Sequence, residues 1–351
     1  MRIALVGCGA VTQAVYVPLL SRRRELFEVR AVCDLSQTLA DAVADRLGAP
    51  GRYTSLQAML ADGGFDAVLV LASGSHGETV RLALEAGYAV FCEKPLALTR
   101  AEVAALPPGR LMVGYMKQYD PAVLRAVELL RGVEIRSVEV TVLHPSGESQ
   151  LAFANLVHAA DADLTQVRKA EQALLDQALG ADASESVRSV YAVSLGSICH
   201  DLSLLRRFTG SPTAIEHVAT WGPAPGSVEI SGQLPGSARF SIRWHYLEDY
   251  PAYRETVAIH HSEGTLELAF PSPYLMNAPT VLTVVAPGEA RTEWRDVTEA
   301  FETQLLAFHA GEEPLTGADG ALEDIVTAQR IAARFAVQNA LPLGGEAREQ
   351  L

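Results

Sequence analysis

A glycine-rich loop near the start of the chain has the spacing to bind a dinucleotide. Its first two glycines match the dinucleotide fingerprint, because they permit a tight turn and let the backbone approach a pyrophosphate at the N-terminus of a helix. Thr12 replaces the third glycine, at a position that mainly governs packing of the helix on the strand. The loop follows a predicted strand and opens a predicted helix, which favours a nucleotide site over a plain turn. Its residues are Gly7, Cys8, Gly9, Ala10, Val11 and Thr12.

Asp34 ends the second predicted strand, at the distance from the glycine loop that the fingerprint requires. A carboxylate at this place accepts hydrogen bonds from the ribose of adenosine and repels a 2′-phosphate. The sequence therefore predicts NAD as the cofactor, with NADP as the alternative.

Lys94 also stands at the end of a predicted strand, within Glu93-Lys94-Pro95. Ligands of an open α/β sheet bind at the carboxyl ends of its strands, so a lysine here would face the cofactor cleft. A solvated loop lysine that pairs with Glu93 is the alternative, and the spacing alone favours that second interpretation.

These candidate residues need strands that end at one edge of a sheet, and the hydrophobic pattern predicts such strands. Strands and helices alternate strictly over the first 120 residues, which is typical of a parallel, doubly wound sheet. We therefore predict an NAD(P)-binding Rossmann domain at residues 1–120. The predicted strands cover residues 2–6, 29–33, 67–71, 89–92 and 110–114.

Beyond residue 120 strand-like stretches follow one another with little helix between them. This pattern predicts a second domain at residues 121–351, a mostly antiparallel open sheet flanked by helices, for substrate binding and oligomerisation. Apolar and polar side chains alternate between residues 238 and 246, so one face of that strand is core and the other polar. We expect the polar face, around Arg243 and His245, to serve a homodimer or homotetramer.

Two helical stretches interrupt this second domain. The first, at residues 153–179, is predicted as an inserted helical segment, and the second runs from residue 186 to 208 with one apolar face. The final helix, near residues 321–339, is expected to pack back on the Rossmann domain.

The composition restricts partners and location. A formal net charge of −14 at pH 7 repels a polyphosphate backbone, so we expect no nucleic-acid partner. No segment approaches the apolar length of a membrane span or a signal peptide, so we expect no membrane partner and a cytoplasmic protein. The cysteines lack metal-site spacing, so we expect reduced, buried thiols and no metal. These are Cys8, Cys33, Cys92 and Cys199.

The stretch from Ala86 to Ala97, with Glu93-Lys94-Pro95 in it, closely resembles the signature of the glucose-fructose oxidoreductase, inositol dehydrogenase and rhizopine catabolism (Gfo/Idh/MocA) family. The similarity continues at residues 114–121, 200–205 and 300–333, and so reaches both ends of the chain.

The resemblance implies roles for two side chains. In that family the lysine of the Glu-Lys-Pro motif contacts the reacting hydroxyl, and the histidine matched by His200 shuttles its proton while hydride passes to the nicotinamide. These roles suit the residue types, because an alcohol that loses hydride needs a base of near-neutral pKa and a cation to stabilise the alkoxide. Glu93 and Lys94 are expected beside the cofactor, and the bond from Lys94 to Pro95 is expected to be cis.

The resemblance places four further residues near the ligands, and helical spacing adds a fifth. Ser73 and His76 belong to a loop expected beside the nicotinamide half of the cofactor, with a helix cap as the alternative for His76. Tyr115 and Lys117 match positions that border the substrate, with solvated loop residues as the alternative. Ser197 precedes the candidate histidine by three residues on the same helical face and is also assigned to the substrate site.

One departure weakens the expected acid–base pair. The family usually has an aspartate one helical turn before the histidine, and here Gly196 stands at that position. Asp201 points about 100° away from His200 in an α-helix and does not replace it. A purely structural role for His200 therefore stays open.

We predict an NAD(P)-dependent oxidoreductase that acts on CH–OH groups and transfers hydride between nicotinamide and a hydroxyl or keto carbon of a sugar, cyclitol or nucleotide sugar. The missing carboxylate keeps three alternatives open: imine reduction, internal recycling of bound NAD without net redox, and a non-enzymatic dinucleotide sensor.

Overall fold

The computed structural model describes residues 1–288 and 290–351, which divide into two compact units. Compared with the predicted boundary at residue 120, the first unit also includes segments at 151–175 and 305–322. The first unit comprises Met1–Gly114, Leu151–Leu175 and Leu305–Leu322, and the second comprises Tyr115–Gln150, Asp176–Gln304 and Glu323–Leu351.

The strands of the described ranges are β1 (Arg2–Val6), β2 (Glu28–Cys33), β3 (Gly51–Tyr53), β4 (Ala67–Val70), β5 (Ala89–Glu93), β6 (Leu111–Gly114), β7 (Ile135–His144), β8 (Ala214–Trp221), β9 (Ser227–Gln233), β10 (Arg239–Tyr246), β11 (Arg254–His261), β12 (Gly264–Phe270), β13 (Val281–Val285) and β14 (Arg291–Arg295).

The α-helices of the same ranges are α1 (Val17–Arg22), α2 (Gln37–Leu47), α3 (Leu56–Asp62), α4 (Gly77–Glu85), α5 (Arg100–Ala104), α6 (Pro121–Leu129), α7 (Gly147–Leu151), α8 (Thr165–Leu179), α9 (Glu185–Val193), α10 (Cys199–Phe208), α11 (Ala300–Ala310) and α12 (Ala318–Gln338).

The first unit contains a parallel sheet in the order β3-β2-β1-β4-β5-β6. This is the strand order of a dinucleotide-binding Rossmann sheet. Strands β2 and β3 are added on one side of β1 and strands β4 to β6 on the other, so the switch point of the sheet lies between β1 and β4. The side chains of β4 are all buried, as expected for a strand covered on both faces. The predicted Rossmann architecture is confirmed.

The second unit contains a mixed sheet in the order β14-β13-β12-β11-β7-β10-β9-β8. The pair β10·β7 is parallel, whereas its other neighbouring pairs are antiparallel. Along β10 the side chains of Phe240, Ile242 and Trp244 are buried, whereas Arg239 and Arg243 are exposed. The predicted mostly antiparallel sheet, with one core face and one polar face on β10, is confirmed.

The predicted helix at residues 153–179 is wrong in its first half. A short 3₁₀ turn covers Ala152–Ala154, and the regular helix begins only at Thr165. Residues 158–163 read His-Ala-Ala-Asp-Ala-Asp and offer no apolar periodicity, so nothing favours a helix packed on its own face. The side chain of Asp161 in this stretch instead accepts hydrogen bonds from the start of α2, elsewhere in the same unit.

The predicted helix at residues 186–208 exists, but it is not regular throughout. A π-helical turn at Ser194–Ile198 separates α9 from α10. Gly196 lies inside this turn, and glycine is a poor α-helix former. A wider turn changes which residues share a face, so spacing arguments that assume an α-helix do not hold here.

No helix within the described residues is both long enough and apolar enough to cross a membrane.

Candidate dinucleotide and catalytic site

Gly7 directly follows β1 and has a backbone geometry that requires glycine. Its φ of 94° lies in the left-handed region, and a Cβ on it would come within 2.4 Å of the backbone nitrogen of Ala72. The N–H of Gly7 donates to the carbonyl oxygen of Cys33 at 2.9 Å. The loop is thereby fixed between the ends of β2 and β4, in the crevice where Rossmann sheets bind dinucleotides.

The rest of the glycine loop leaves room for a phosphate. Gly9, Ala10 and Val11 are half-buried, and a Cβ on Gly9 would meet no described heavy atom within 4 Å. Thr12 is fully buried and its hydroxyl donates to the carbonyl oxygen of Gly7 at 2.7 Å. The residue that replaces the third glycine therefore ties the loop together, and the loop fits a pyrophosphate at a helix N-terminus.

Asp34 lies beside this loop and is held in place by two backbone groups. Its Oδ2 accepts a hydrogen bond from the N–H of Cys8 at 2.7 Å, and its Oδ1 accepts one from the N–H of Ser36 at 2.8 Å. Burial, and then the nearby Asp34 carboxylate, raise the pKa of the Cys8 thiol, so this thiol stays neutral. The arrangement fits a ribose whose hydroxyls donate to the carboxylate.

The backbone around Lys94 is fixed by a buried carboxylate. Glu93 is 7% exposed, and its Oε1 accepts a hydrogen bond from the hydroxyl of Tyr16 at 2.5 Å while its Oε2 accepts one from the N–H of Lys94 at 3.2 Å. Burial raises the pKa of Glu93, and the bond from Tyr16 opposes that shift. Lys94 itself is half-buried at the carboxyl end of β5, and the expected cis bond to Pro95 is confirmed.

His76 braces the loop beside this motif. Its Nδ1 lies 2.6 Å from the carbonyl oxygen of Pro95 and its Nε2 lies 2.7 Å from that of Ala72, and the ring is buried. His76 is the N-cap residue of α4, as the helix-cap alternative has it, but its side chain makes no capping hydrogen bond to that helix. Both ring nitrogens are used in joining the ends of β4 and β5, whereas Ser73 in the same loop is exposed.

In the second unit, His200 lies near the start of α10 and is half-buried. Its ring meets the ring of Tyr115 edge-on, with centroids 6.3 Å apart. Ser197 belongs to the π-helical turn at Ser194–Ile198. It accepts a hydrogen bond from Nε1 of Trp244 at 2.8 Å, which joins this turn to strand β10. Gly196 is exposed, and a Cβ there would meet no described heavy atom within 4 Å, so the position has room for the side chain that the family has and this chain lacks.

Lys117 belongs to a buried charge cluster rather than to a solvated loop. Its Nζ lies 2.6 and 2.7 Å from the two carboxylate oxygens of Glu255 and 3.3 Å from Oδ1 of Asp201. The hydroxyl of Tyr253 donates to Oε2 of Glu255 at 2.5 Å. Buried charges persist in proteins when they are paired, so this cluster joins strand β11 to α10 through one ammonium group. The solvated alternative for Lys117 is wrong.

Tyr115 is likewise buried, at 1% exposure. Its hydroxyl hydrogen-bonds to Asp324, which also forms an ion pair with Arg206. The guanidinium of Arg206 lies over the ring of Tyr115, 5.6 Å from its centroid. The solvated alternative for Tyr115 is wrong too, and a substrate contact by Tyr115 or Lys117 stays a prediction.

The buried Asp201 gives a testable dependence of stability on pH. Burial raises the pKa of Asp201 to about 8, against the lowering effect of Lys117. Between the ordinary value of about 4 and this raised value the folded chain holds a proton that the unfolded chain has lost, so stability falls as pH rises through that window. Asp201→Asn cannot ionise and is expected to abolish this fall.

The Tm of the native chain and of Asp201→Asn is measured by thermal unfolding between about pH 5 and about pH 9. As the pH rises over that range, we expect the Tm of the native chain to fall by more than about 3 °C relative to the Tm of the variant. Asp182→Asn, at an exposed aspartate, is the control and should track the native chain. Parallel curves for the native chain and Asp201→Asn would show that Asp201 ionises normally.

Several functional contacts escape detection from the sequence. The acidic partners of Lys117 lie far from it along the chain, and no local spacing marks them. Gln13 follows the glycine loop, and its amide nitrogen donates to the carbonyl oxygens of Cys8 at 2.9 Å and Val157 at 3.1 Å. Asp161 hydrogen-bonds at the start of α2. Of these residues, Gln13 could have been singled out from the sequence, because it directly follows the glycine loop.

The glycine loop, the acidic residue after β2 and the lysine after β5 lie on a sheet of Rossmann order, and together they define a dinucleotide-dependent oxidoreductase. Residues 1–107 match the family model GFO_IDH_MocA, described as an oxidoreductase family with an NAD-binding Rossmann fold. Over these residues the chain is similar to the Gfo/Idh/MocA family.

Several named proteins are also similar to this chain in sequence or in fold. D-xylose 1-dehydrogenase (NADP(+)) 2 of Haloferax volcanii is 28% identical over 90% of this chain and 91% of that protein. Inositol 2-dehydrogenase/D-chiro-inositol 3-dehydrogenase of Shouchella clausii is 34% identical over 37% of this chain and 40% of its own length. The crystal structure of myo-inositol 2-dehydrogenase from Lactobacillus plantarum shares the fold, with a TM-score of 0.70 at 19% identity over 96% of this chain and 98% of that one.

Proposed function

We propose that this chain is an NAD(P)-dependent dehydrogenase or reductase that acts on a hydroxyl or keto carbon of a sugar, cyclitol or nucleotide sugar, with NAD preferred. The observation that carries the proposal is the fixed backbone around Lys94: a buried glutamate, itself held by Tyr16, binds the N–H of the lysine at the carboxyl end of β5. A lysine held in this way presents its charge at the edge of the sheet where the nucleotide loop also lies.

The side chains have separate tasks in this reaction. When bound, the nicotinamide accepts or returns the hydride. The ammonium of Lys94 binds the reacting oxygen and stabilises its negative charge. The imidazole of His200 takes or returns the proton of that oxygen, which suits a group that changes charge near neutral pH. The backbone of the glycine loop and the carboxylate of Asp34 hold the dinucleotide.

Gly196 supports a second candidate. The position is exposed and has room for a side chain, but because the residue is glycine it supplies no carboxylate to pair with His200. An enzyme that reduces an imine has no hydroxyl proton to remove and so has less need of that pair, and internal recycling of bound NAD is kept as a further alternative. A dinucleotide sensor would need neither His200 nor Lys94.

Steady-state absorbance of NADH and NADPH with a panel of sugars, cyclitols and nucleotide sugars separates these functions. We expect net cofactor reduction with at least one member of the panel. Product formation from a substrate without net change in absorbance would identify internal recycling, and bound dinucleotide without any turnover would identify a sensor.

The assembly and location of the protein also follow as proposals. The polar face of β10, which carries Arg243 and His245, is proposed to take part in a homodimer or homotetramer, and sedimentation velocity measures this directly. The cytoplasmic location stays a prediction.

A further inference from the structure

The segment at 151–175, which belongs to the first unit, crosses the edge of the sheet where the dinucleotide is expected. Val157 bonds through its N–H to Oε1 of Gln13 at 2.8 Å, next to the loop after β1. Glu171 lies beside Gly74, which follows β4. A Cβ placed on Gly74 would be 3.3 Å from Oε1 of Glu171. The segment therefore has contacts after two adjacent strands of the Rossmann sheet.

A third contact lies after β2, where the adenosine ribose is expected. There Oδ2 of Asp161 accepts hydrogen bonds from the N–H and the hydroxyl of Thr38, both at 3.0 Å, and Oδ1 accepts one from the hydroxyl of Ser36. Ser36 is the N-cap of α2, and its own N–H donates to Asp34. One serine thus joins two carboxylates, one from the Rossmann strand and one from the inserted segment.

The groups that donate hydrogen bonds to Asp161 are those that would otherwise bind an anion at this end of the sheet. Residues 34–38 read Asp-Leu-Ser-Gln-Thr and contain no arginine or lysine that could accept a 2′-phosphate. Two hydroxyls and an N–H at the start of an 11-residue helix would be the remaining partners for that phosphate, and all three are bound to a carboxylate.

We propose that Asp161 is a specificity-determining residue that excludes the 2′-phosphate of NADP, by holding the three donors and by adding a second negative charge beside Asp34. The proposal rests on the proposed function, in that a dinucleotide binds this sheet. Like charges placed together at a binding site oppose binding, so a second carboxylate here weakens the binding of NADP more than that of NAD. The hydrogen bond from Ser36, then that from Thr38, lower the pKa of Asp161 to about 2, so the group is charged at neutral pH.

The test compares the dissociation constants of NAD and NADP, measured by titration calorimetry, in the native chain and in Asp161→Ala. We expect the NADP/NAD affinity ratio to rise about tenfold or more, with NAD affinity within about threefold of native. The rise should shrink at high ionic strength, because exposed charges are screened. Asp163→Ala is the matched control: this neighbouring exposed aspartate bonds to the N–H of Thr165 and should leave the ratio unchanged.

Asp34 could mask the effect of Asp161, so the same comparison is made in an Asp34→Ser background. An unchanged ratio in both backgrounds, with NAD still bound, would overturn the role of Asp161. Failure of the native chain to bind either dinucleotide would instead overturn the proposed function, so the two failures are distinguishable.

Discussion

Replacing Lys94 by alanine is expected to lower kcat/KM about a thousandfold while the dissociation constant of NAD stays within about threefold of native. The side chain is half-buried after β5 and its backbone is held by Glu93, so its ammonium is positioned before the substrate binds. The negative charge on the reacting oxygen is greatest in the transition state, so the loss should fall mainly on kcat. Steady-state kinetics with the best substrate of the panel, beside a NAD titration, measures both parts.

Lys169→Ala supplies the control for Lys94, because it removes an exposed lysine from α8. Lys94→Arg keeps the charge but not the compact ammonium, and it should recover only part of the activity. A Lys94→Ala variant that retains more than about a tenth of native kcat/KM would show that the lysine does not stabilise the reacting oxygen.

Replacing His200 by asparagine is expected to lower kcat/KM by between about a hundredfold and ten-thousandfold in the direction of alcohol oxidation. Asparagine keeps hydrogen-bonding capacity but cannot exchange a proton near neutral pH. The native pH profile of kcat/KM should fall on the acid side, where the imidazole is protonated and cannot act as a base, and the variant should lack that fall.

The pH profile distinguishes proton transfer from a structural role for His200. A variant that loses activity equally at all pH values, with a lowered Tm, would indicate that the ring only packs against Tyr115. His217→Asn, at an exposed histidine of β8, is the control and should leave both the profile and the rate unchanged.

The sequence predicts the parts of this fold whose signals are local. The glycine loop is visible because its glycines are close together, and the φ of Gly7 explains why no other residue would serve. The core face of β10 follows from strict alternation of apolar and polar side chains, which a half-buried strand imposes.

The missed features depend on contacts between distant parts of the chain. Lys117 is buried because Asp201 and Glu255 surround it, and neither neighbour is marked by spacing. Residues 155–164 are not helical, and they bond instead to Gln13 and to the start of α2. The pattern of apolar residues within one segment cannot reveal such contacts to distant parts of the chain. The sequence indicates a ligand contact or a helix cap for His76, whereas the contacts of its ring depend on carbonyls from two different loops.

A labelled hydride shows whether this chain moves hydrogen from the substrate carbon to NAD. A panel substrate that carries deuterium at the oxidised carbon is incubated with NAD and the native chain, and the mass of the reduced cofactor is measured. We expect NADH that is heavier by one deuterium, formed by the native chain and almost absent with Lys94→Ala. Unlabelled cofactor with every substrate, although NAD binds, would contradict the assignment as a sugar or cyclitol dehydrogenase.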